Sequence, residues 1–181
     1  MKNSLLFGLL LLLTPHISLG QSTDPQEPEN KNNSDSLVVN LPEKVETNLS
    51  LITPPEGFEP TDKFNGYIHY EASSGIIMTM IDNANYIKIS EGMTDDFFRK
   101  NGLTFIEKQS FVSDNGVKGI YYKSSFVTSD VDFIRYMVYA GDLNKTLWLN
   151  ITYPTKLEEL IESDILTTIQ SIQLNINQDE K

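Results

Sequence analysis

The sequence of 181 residues contains no cysteine and only two histidines. Without cysteine, the chain cannot form a disulfide framework, a zinc–thiolate site, an iron–sulfur cluster or a cysteine nucleophile. His16 lies in a segment that we predict to be removed, so the mature protein keeps only His69. A metal site built from several histidines is therefore excluded as well.

Motifs for phosphate binding and for serine hydrolysis are missing too. The sequence has no Gly-x-Gly-x-x-Gly fingerprint, no phosphate loop ending in Gly-Lys-Ser/Thr and no Gly-x-Ser-x-Gly elbow. The formal net charge is −11, which repels the phosphates of nucleic acids and of anionic lipid headgroups. The sequence therefore predicts that the protein has no cofactor and no metal site. It also predicts that the protein does not bind nucleic acid.

His69 is the single candidate for the general base that a serine nucleophile requires. It alternates with Ile68 and Tyr70 in a predicted strand, a pattern that favours a structural histidine facing solvent or a loop. The adjacent carboxylates Asp95–Asp96 and Glu158–Glu159 would point about 100° apart on a helix, so neither pair flanks one substrate bond. No catalytic residue is predicted, and we expect the protein not to be an enzyme.

Residues 1–20 have the three regions of a secretory signal peptide in the expected order. Lys2 supplies the positive charge, Leu5–Leu13 is an apolar run, and Ser18 and Gly20 are small residues before the cleavage site. Such a run spans about 13 Å as a helix, too short for the roughly 30 Å hydrocarbon core of a membrane. No cysteine follows it, which excludes a lipoprotein. We predict an exported periplasmic or extracellular protein, cleaved near Gly20, without stable membrane insertion.

The rest of the chain divides by composition. Residues 21–36 contain no aliphatic or aromatic side chain and cannot bury enough apolar surface to offset the entropy of ordering. We predict that residues 21–47 form a disordered or extended linker, that residues 48–175 form a single domain, and that residues 176–181 form a polar tail. A domain of about 130 residues is large enough for a core of its own.

Several runs rich in β-branched and aromatic residues predict strands within this domain. They are residues 49–52, 67–71, 75–82, 105–112, 117–126, 133–140 and 146–153. Turn residues such as those at 114–116 separate neighbouring runs, so we expect the longer strands to pair as antiparallel hairpins.

Two helices are predicted between and after the strands. Thr94 begins the short one, and Asn101-Gly102 ends it. The longer one begins at Thr155, which forms a capping box with Glu158. Apolar residues at helical spacing then form a stripe that needs a sheet face to cover, at positions 157, 160, 161, 165, 169 and 172. The glutamates at 158, 159 and 162 are expected to point away from this stripe.

The elements follow a characteristic order. A Pro-Pro-Glu-Gly-Phe turn at Pro54–Phe58 follows the first strand, Asn101-Gly102 ends the middle helix, Leu147–Tyr153 is an aromatic last strand, and Ser171-Ile172 ends the final helix. This order resembles the PsbP-like α/β/α sandwich, shared by small bacterial envelope proteins, photosystem extrinsic subunits and a Ran-binding import factor. The resemblance covers residues 49–174. It implies an α+β fold, with helices packed on an antiparallel sheet, and a non-enzymatic binding or assembly domain.

Trp148, the single tryptophan, is the aromatic residue of most interest. In a strand it shares the more polar face with Asn150 and Thr152. It is therefore either an exposed anchor for a peptide or a sugar, or a core residue beneath a helix. Tyr136 lies in the preceding predicted strand. We take Trp148, Tyr136 and Asn150 as the candidate binding residues.

The predicted function is that of an exported, non-catalytic binding or scaffold domain, accessory to a cell-envelope or extracellular complex. The alternative is a carrier that holds a small apolar ligand in a pocket between sheet and helix. The expected partner is accordingly a protein or a small apolar molecule, and the oligomeric state is left open.

Overall fold

The computed structural model describes residues 49–174. The predicted signal peptide at 1–20, the linker at 21–47 and the polar tail at 176–181 lie outside the described residues. Within them, no helix is long and apolar enough to cross a membrane.

Seven strands form one antiparallel sheet. They are β1 Glu59–Pro60, β2 Gly66–His69, β3 Ser74–Asp82, β4 Thr104–Val112, β5 Lys118–Thr128, β6 Val131–Gly141 and β7 Lys145–Pro154. The spatial order is β1-β2-β3-β7-β6-β5-β4, so two meanders join through the pairing of β3 with β7. The long strands β3 to β7 agree with the predicted ones to within a few residues, because alternation and turn residues are local signals.

Helices lie on both faces of the sheet. They are α1 Tyr86–Glu91, α2 Asp95–Lys100 and α3 Glu158–Gln170. Trp148 of β7 packs with residues of α1 and α2, and we call this side the α1/α2 face. Leu149 and Ile151 of the same strand pack with Ile165 and Ile169 of α3, and we call that side the α3 face. The fold is α+β with a sandwich of helix, sheet and helix, as predicted.

The short helix α2 begins and ends where the sequence predicts. The side chain of Thr94 accepts a hydrogen bond from the backbone N–H of Phe97 at 3.3 Å. Gly102, just beyond the helix, has a φ of 65°, which glycine adopts without steric cost. The preceding helix α1, also of six residues, was not predicted, although Asn85 caps it much as Thr94 caps α2.

Three expectations about the last helix are wrong. Thr155 does not cap it; Thr155–Leu157 form a 3₁₀ turn, and Glu158 begins the α-helix. The reason is that Pro154 is still paired with Phe133 in the sheet, so the chain must turn off β7 before a helix can form. Leu160 is 72% exposed and does not belong to the apolar stripe. Glu158 and Glu162 do not point away from the sheet, as described below.

The predicted strand at 49–52 is also wrong. Leu49–Leu51 form a 3₁₀ turn, and Leu51 and Ile52 are buried in the core on the α3 face. Their segment bonds to the residues that follow α3: the N–H of Gln173 donates to the carbonyl of Leu51 at 2.9 Å. The first strand of the sheet is instead the two-residue β1, which is too short for a sequence pattern.

Gly66, at the start of β2, is a position where only glycine fits. Its φ is +155°, and an added Cβ would lie 1.9 Å from the carbonyl oxygen of Ile76 on β3. We expect Gly66→Ala to lower the free energy of unfolding by about 2 kcal/mol, because the β2–β3 pairing must shift. Urea-induced unfolding of the full-length protein measures this. Gly116→Ala is the matched control: its φ of +78° also strains an alanine, but nothing lies within 4 Å of its added Cβ, so its loss should be smaller. An equal loss in both variants would contradict the clash with β3.

Candidate functional site

Trp148 is a core residue and not an exposed anchor. It is 8% exposed and packs in the cluster on the α1/α2 face, whose other buried members are Tyr86, Phe98, Leu103, Tyr122, Met137 and Tyr139. Its indole Nε1 is fully enclosed and has no hydrogen-bond partner among the described residues. Of the two interpretations that the sequence leaves open, the structure favours the buried one.

The other two candidate binding residues do not share one site. Asn150 lies on the α1/α2 face with Trp148, and its Oδ1 accepts a hydrogen bond of 3.4 Å from the Thr152 hydroxyl. Tyr136 pairs with Ile151 across the sheet and therefore lies on the opposite, α3 face. Trp148 and Asn150 are thus brought together, whereas Tyr136 is separated from both by the sheet.

Burial of Trp148 predicts a blue-shifted emission. The native protein should fluoresce like an indole in an apolar environment, and unfolding should move the maximum to the red. The measurement is simple because the chain has one tryptophan. A native maximum at the position of the unfolded protein would contradict the packing of the α1/α2 face.

The α3 face carries a polar cluster that joins α3 to the sheet. Lys123 of β5 is buried, and its Nζ forms ion pairs with Glu158 and Glu162. The hydroxyl of Tyr136 donates a hydrogen bond to Glu162 Oε1 at 2.7 Å. The ammonium also lies 5.7 Å from the centre of the Tyr136 ring. The cluster therefore satisfies a buried cation with two carboxylates and an aromatic face.

The pKa shifts of this cluster do not suit catalysis. Burial alone would lower the pKa of Lys123, but its bonds to Glu158 and Glu162 outweigh burial, and the pKa is raised. Burial raises the pKa of Tyr136, and its hydrogen bond to Glu162 adds to the effect. A lysine or tyrosine acts as a base or nucleophile when its pKa is lowered, so neither group is activated here. We assign the cluster a structural role.

His69 is engaged in holding the β2–β3 turn. Its Nδ1 accepts a hydrogen bond from the N–H of Ala72 at 3.3 Å. Its ring meets the ring of Phe58 edge to face, with centroids 5.6 Å apart. Gly57 lies so close that an added Cβ would be 2.7 Å from Nε2. These contacts support the structural interpretation of His69 that the sequence favours.

Arg135 is a functional candidate that the sequence reasoning did not single out. It lies on β6 opposite Ser124 of β5 and Thr152 of β7, and it is 2% exposed. Its Cζ is 4.4 Å from the centre of the Phe126 ring, and its Nε donates to the Thr152 hydroxyl at 3.4 Å. In the part of the chain that the structure describes, no carboxylate forms an ion pair with it.

Burial without a counterion has an electrostatic consequence for Arg135. Removal from water lowers the pKa of its guanidinium to about 10. The group is still charged at neutral pH, so the fold encloses a positive charge among neutral side chains. The sequence signal was a single charged residue inside the aromatic and aliphatic run Phe133–Ala140, the inner part of β6.

The outer edge of β4 is the second feature that sequence reasoning missed. β4 ends the sheet, and no strand of the described residues pairs with its outer side. Its register with β5 is regular from Glu107 to Val112, after a bulge between Phe105 and Glu107. Most side chains along it are exposed, among them the apolar Phe105, Ile106 and Val112.

Comparisons with known proteins concern the fold. No family model matches the sequence. No curated protein matches it significantly.

Metal-binding groups of three or more histidine or acidic side chains do not occur among the described residues.

Several solved structures are similar. PA94, a protein of unknown function from Pseudomonas aeruginosa, has a TM-score of 0.45 at 9% identity, over 56% of this chain and 72% of its own. LpqN, involved in cell envelope biogenesis of Mycobacterium tuberculosis, has a TM-score of 0.49 at 9% identity, over 65% of this chain and 78% of its own. A cyanobacterial PsbP from Synechocystis has a TM-score of 0.41 at 9% identity, over 67% of this chain and 76% of its own. A PsbP is thus among the similar structures; all three TM-scores are below 0.5, and these likenesses assign neither a family nor a function to this chain.

Proposed function

We propose that this chain is an exported, non-catalytic binding domain, accessory to a cell-envelope or extracellular complex, and that it holds a polypeptide partner along β4. The signal-peptide pattern of residues 1–20 supports export. The residues that could carry chemistry are engaged elsewhere: His69 holds a turn, and Lys123 and Glu162 join α3 to the sheet. Because these side chains have structural contacts, we infer that the protein acts by binding and not by catalysing a reaction.

The open edge of β4 is the observation that carries the proposal. An edge strand presents a row of backbone N–H and C=O groups that an extended polypeptide can pair with. The regular stretch Glu107–Val112 is long enough for such pairing. Next to it, the exposed side chains of Phe105 and Ile106 offer apolar surface to the partner's side chains.

The packing between sheet and α3 favours this interpretation over that of a carrier. Large side chains with almost no exposure fill this layer, namely Ile76, Leu149, Tyr153, Ile165, Ile169 and Ile172. A carrier needs a concave apolar cavity of about 300 Å³ or more. These side chains occupy the layer in which a carrier would hold its ligand, which favours an external surface for binding.

Native mass spectrometry of the protein, purified gently from its host's envelope or medium, tests the proposal. We expect a second polypeptide at fixed stoichiometry with the unmodified protein. Ile106→Asp should abolish this complex, because it would place a charge on the apolar surface of β4. An extra mass of a few hundred daltons in place of a polypeptide would contradict the proposal and favour a carrier.

Leu160→Asp is the matched control for this experiment. Leu160 is an exposed aliphatic residue like Ile106, but it lies on α3. The same change of charge and size there should leave the complex intact. Loss of the complex in both variants would indicate a general effect of charge, and loss only in Leu160→Asp would place the binding surface on α3.

A further inference from the structure

The two buried basic side chains, Lys123 and Arg135, differ in their charged partners. Lys123 is enclosed with two carboxylates and the hydroxyl and ring of Tyr136 close by. Arg135, on the other face of the sheet, is more deeply enclosed, and its guanidinium has only the Thr152 hydroxyl and the Phe126 ring as partners within residues 49–174. An enclosed charge without a counterion is costly, and proteins rarely keep one unless something pairs with it.

The terminal nitrogens of Arg135 have unused hydrogen-bonding capacity. Among the described residues, Nε is the guanidinium nitrogen that donates a hydrogen bond, whereas Nη1 and Nη2 donate none. Neither terminal nitrogen belongs to the fully enclosed polar atoms without a partner, so each keeps a small solvent-accessible area although the residue is 2% exposed. Because the ring of Phe126 and the hydroxyl of Thr152 hold the guanidinium, its free side is fixed in direction.

The surroundings add neutral polar groups on the same face. Ser124 and Thr152 lie directly opposite Arg135 on the two neighbouring strands, and Asn150 is the next residue of β7 on that face. All three are buried. Trp148, two residues before Asn150 on β7, contributes an indole N–H that has no hydrogen-bond partner in the part of the chain that the structure describes. Among the described residues, the face therefore combines one buried positive charge with donors that lack a partner.

We propose that Arg135 anchors a binding site for a small carboxylate, whose two oxygens accept hydrogen bonds from Nη1 and Nη2. The planar fork of a guanidinium matches the two oxygens of a carboxylate. A single buried charge balances a monoanion, whereas a phosphate dianion would leave a charge uncompensated in a protein that is already acidic. The site lies on the α1/α2 face and does not depend on the edge of β4.

Titration of the ¹⁵N-labelled full-length protein with sodium acetate tests this site. The chain has two arginines, Arg99 and Arg135, so their Nε–H signals can be told apart. Arg99 is an internal control because it is exposed and paired with Asp96 at 2.6 Å. We expect the Arg135 signal to move and saturate with acetate, and not with sodium chloride at equal ionic strength, while the Arg99 signal stays in place.

Two substitutions of Arg135 separate a binding role from a structural one. Arg135→Lys keeps the charge but loses the fork, and should weaken acetate binding by about tenfold or more. Arg135→Met should raise the midpoint of thermal unfolding in chloride buffer, because the unpaired charge is gone, and should remove any further rise with acetate. If Arg135→Met does not fold, the lysine variant still gives the decisive comparison.

Several results would overturn the assignment. An Arg135 signal that does not saturate with acetate, or that moves equally with chloride, would indicate a purely structural arginine. Equal acetate affinity of the wild type and Arg135→Lys would also contradict it. Tighter binding of inorganic phosphate than of acetate would replace the carboxylate site with a phosphate site.

Discussion

Ile169→Ala is expected to lower the free energy of unfolding by about 3–4 kcal/mol, the largest effect of the changes considered. Ile169 is 1% exposed and lies on the side of α3 that faces the sheet. Removing its side-chain carbons loses their transfer free energy and leaves a cavity, because the neighbouring strands β6 and β7 hold the sheet in place. Urea-induced unfolding of the full-length protein, followed by circular dichroism, measures the loss.

Leu160→Ala is the control within the same helix. Leu160 is exposed, so the same loss of aliphatic carbons should change the stability by less than about 0.5 kcal/mol. The pair of variants tests which side of α3 faces the sheet. Similar losses at both positions would mean that α3 does not pack on the sheet as described.

Lys123→Met is expected to lower the free energy of unfolding by about 2–3 kcal/mol. The change removes the cation that Glu158 and Glu162 share and leaves the two carboxylates facing each other and the hydroxyl of Tyr136. Breaking a fully buried pair costs about 3–5 kcal/mol. The loss here is smaller because both glutamates are partly exposed and water can screen them. Lys118→Met, at the exposed first position of β5, is the control and should have little effect.

The effect of Lys123→Met should depend on pH. The hydrogen bonds that Glu162 accepts from Lys123 and Tyr136 lower the pKa of its carboxyl below the usual 4.5. A lowered native pKa contributes stability that is present above the usual value and is lost as the pH falls through the lowered one. The difference between the wild type and the variant should therefore be largest near neutral pH and shrink in acid. A difference that stays constant into strong acid would contradict the role of Glu162.

The parts of the fold that the sequence could predict are those set by local patterns. Alternation predicts the long strands, and the cap at Thr94 with the glycine at 102 predicts α2. The 3₁₀ turn at Leu49–Leu51 could not be predicted, because its hydrogen-bond partner Gln173 lies at the other end of the chain. The start of α3 depends on where the pairing of Pro154 in the sheet ends, which is a tertiary property as well.

The same limit applies to the candidate sites. Alternation along β7 correctly places Trp148 and Asn150 on one face. It could not place Tyr136, whose face follows from the register between β6 and β7. Arg135 became a candidate only through its tertiary surroundings. A buried arginine is a binding candidate when no carboxylate pairs with it, and the sequence alone does not show this pairing. The open edge of β4 likewise follows from the order of the strands and not from its own residues.

Site-specific photocrosslinking tests the central claim, that this protein works by binding a polypeptide along β4. A photoreactive residue would replace the exposed Gln109 of β4 in one variant and the exposed Glu159 of α3 in another. In cells of the host, irradiation should join the first variant to another polypeptide as one defined adduct, and the second variant should give none. An adduct at Glu159 alone, or at neither position, would contradict the claim.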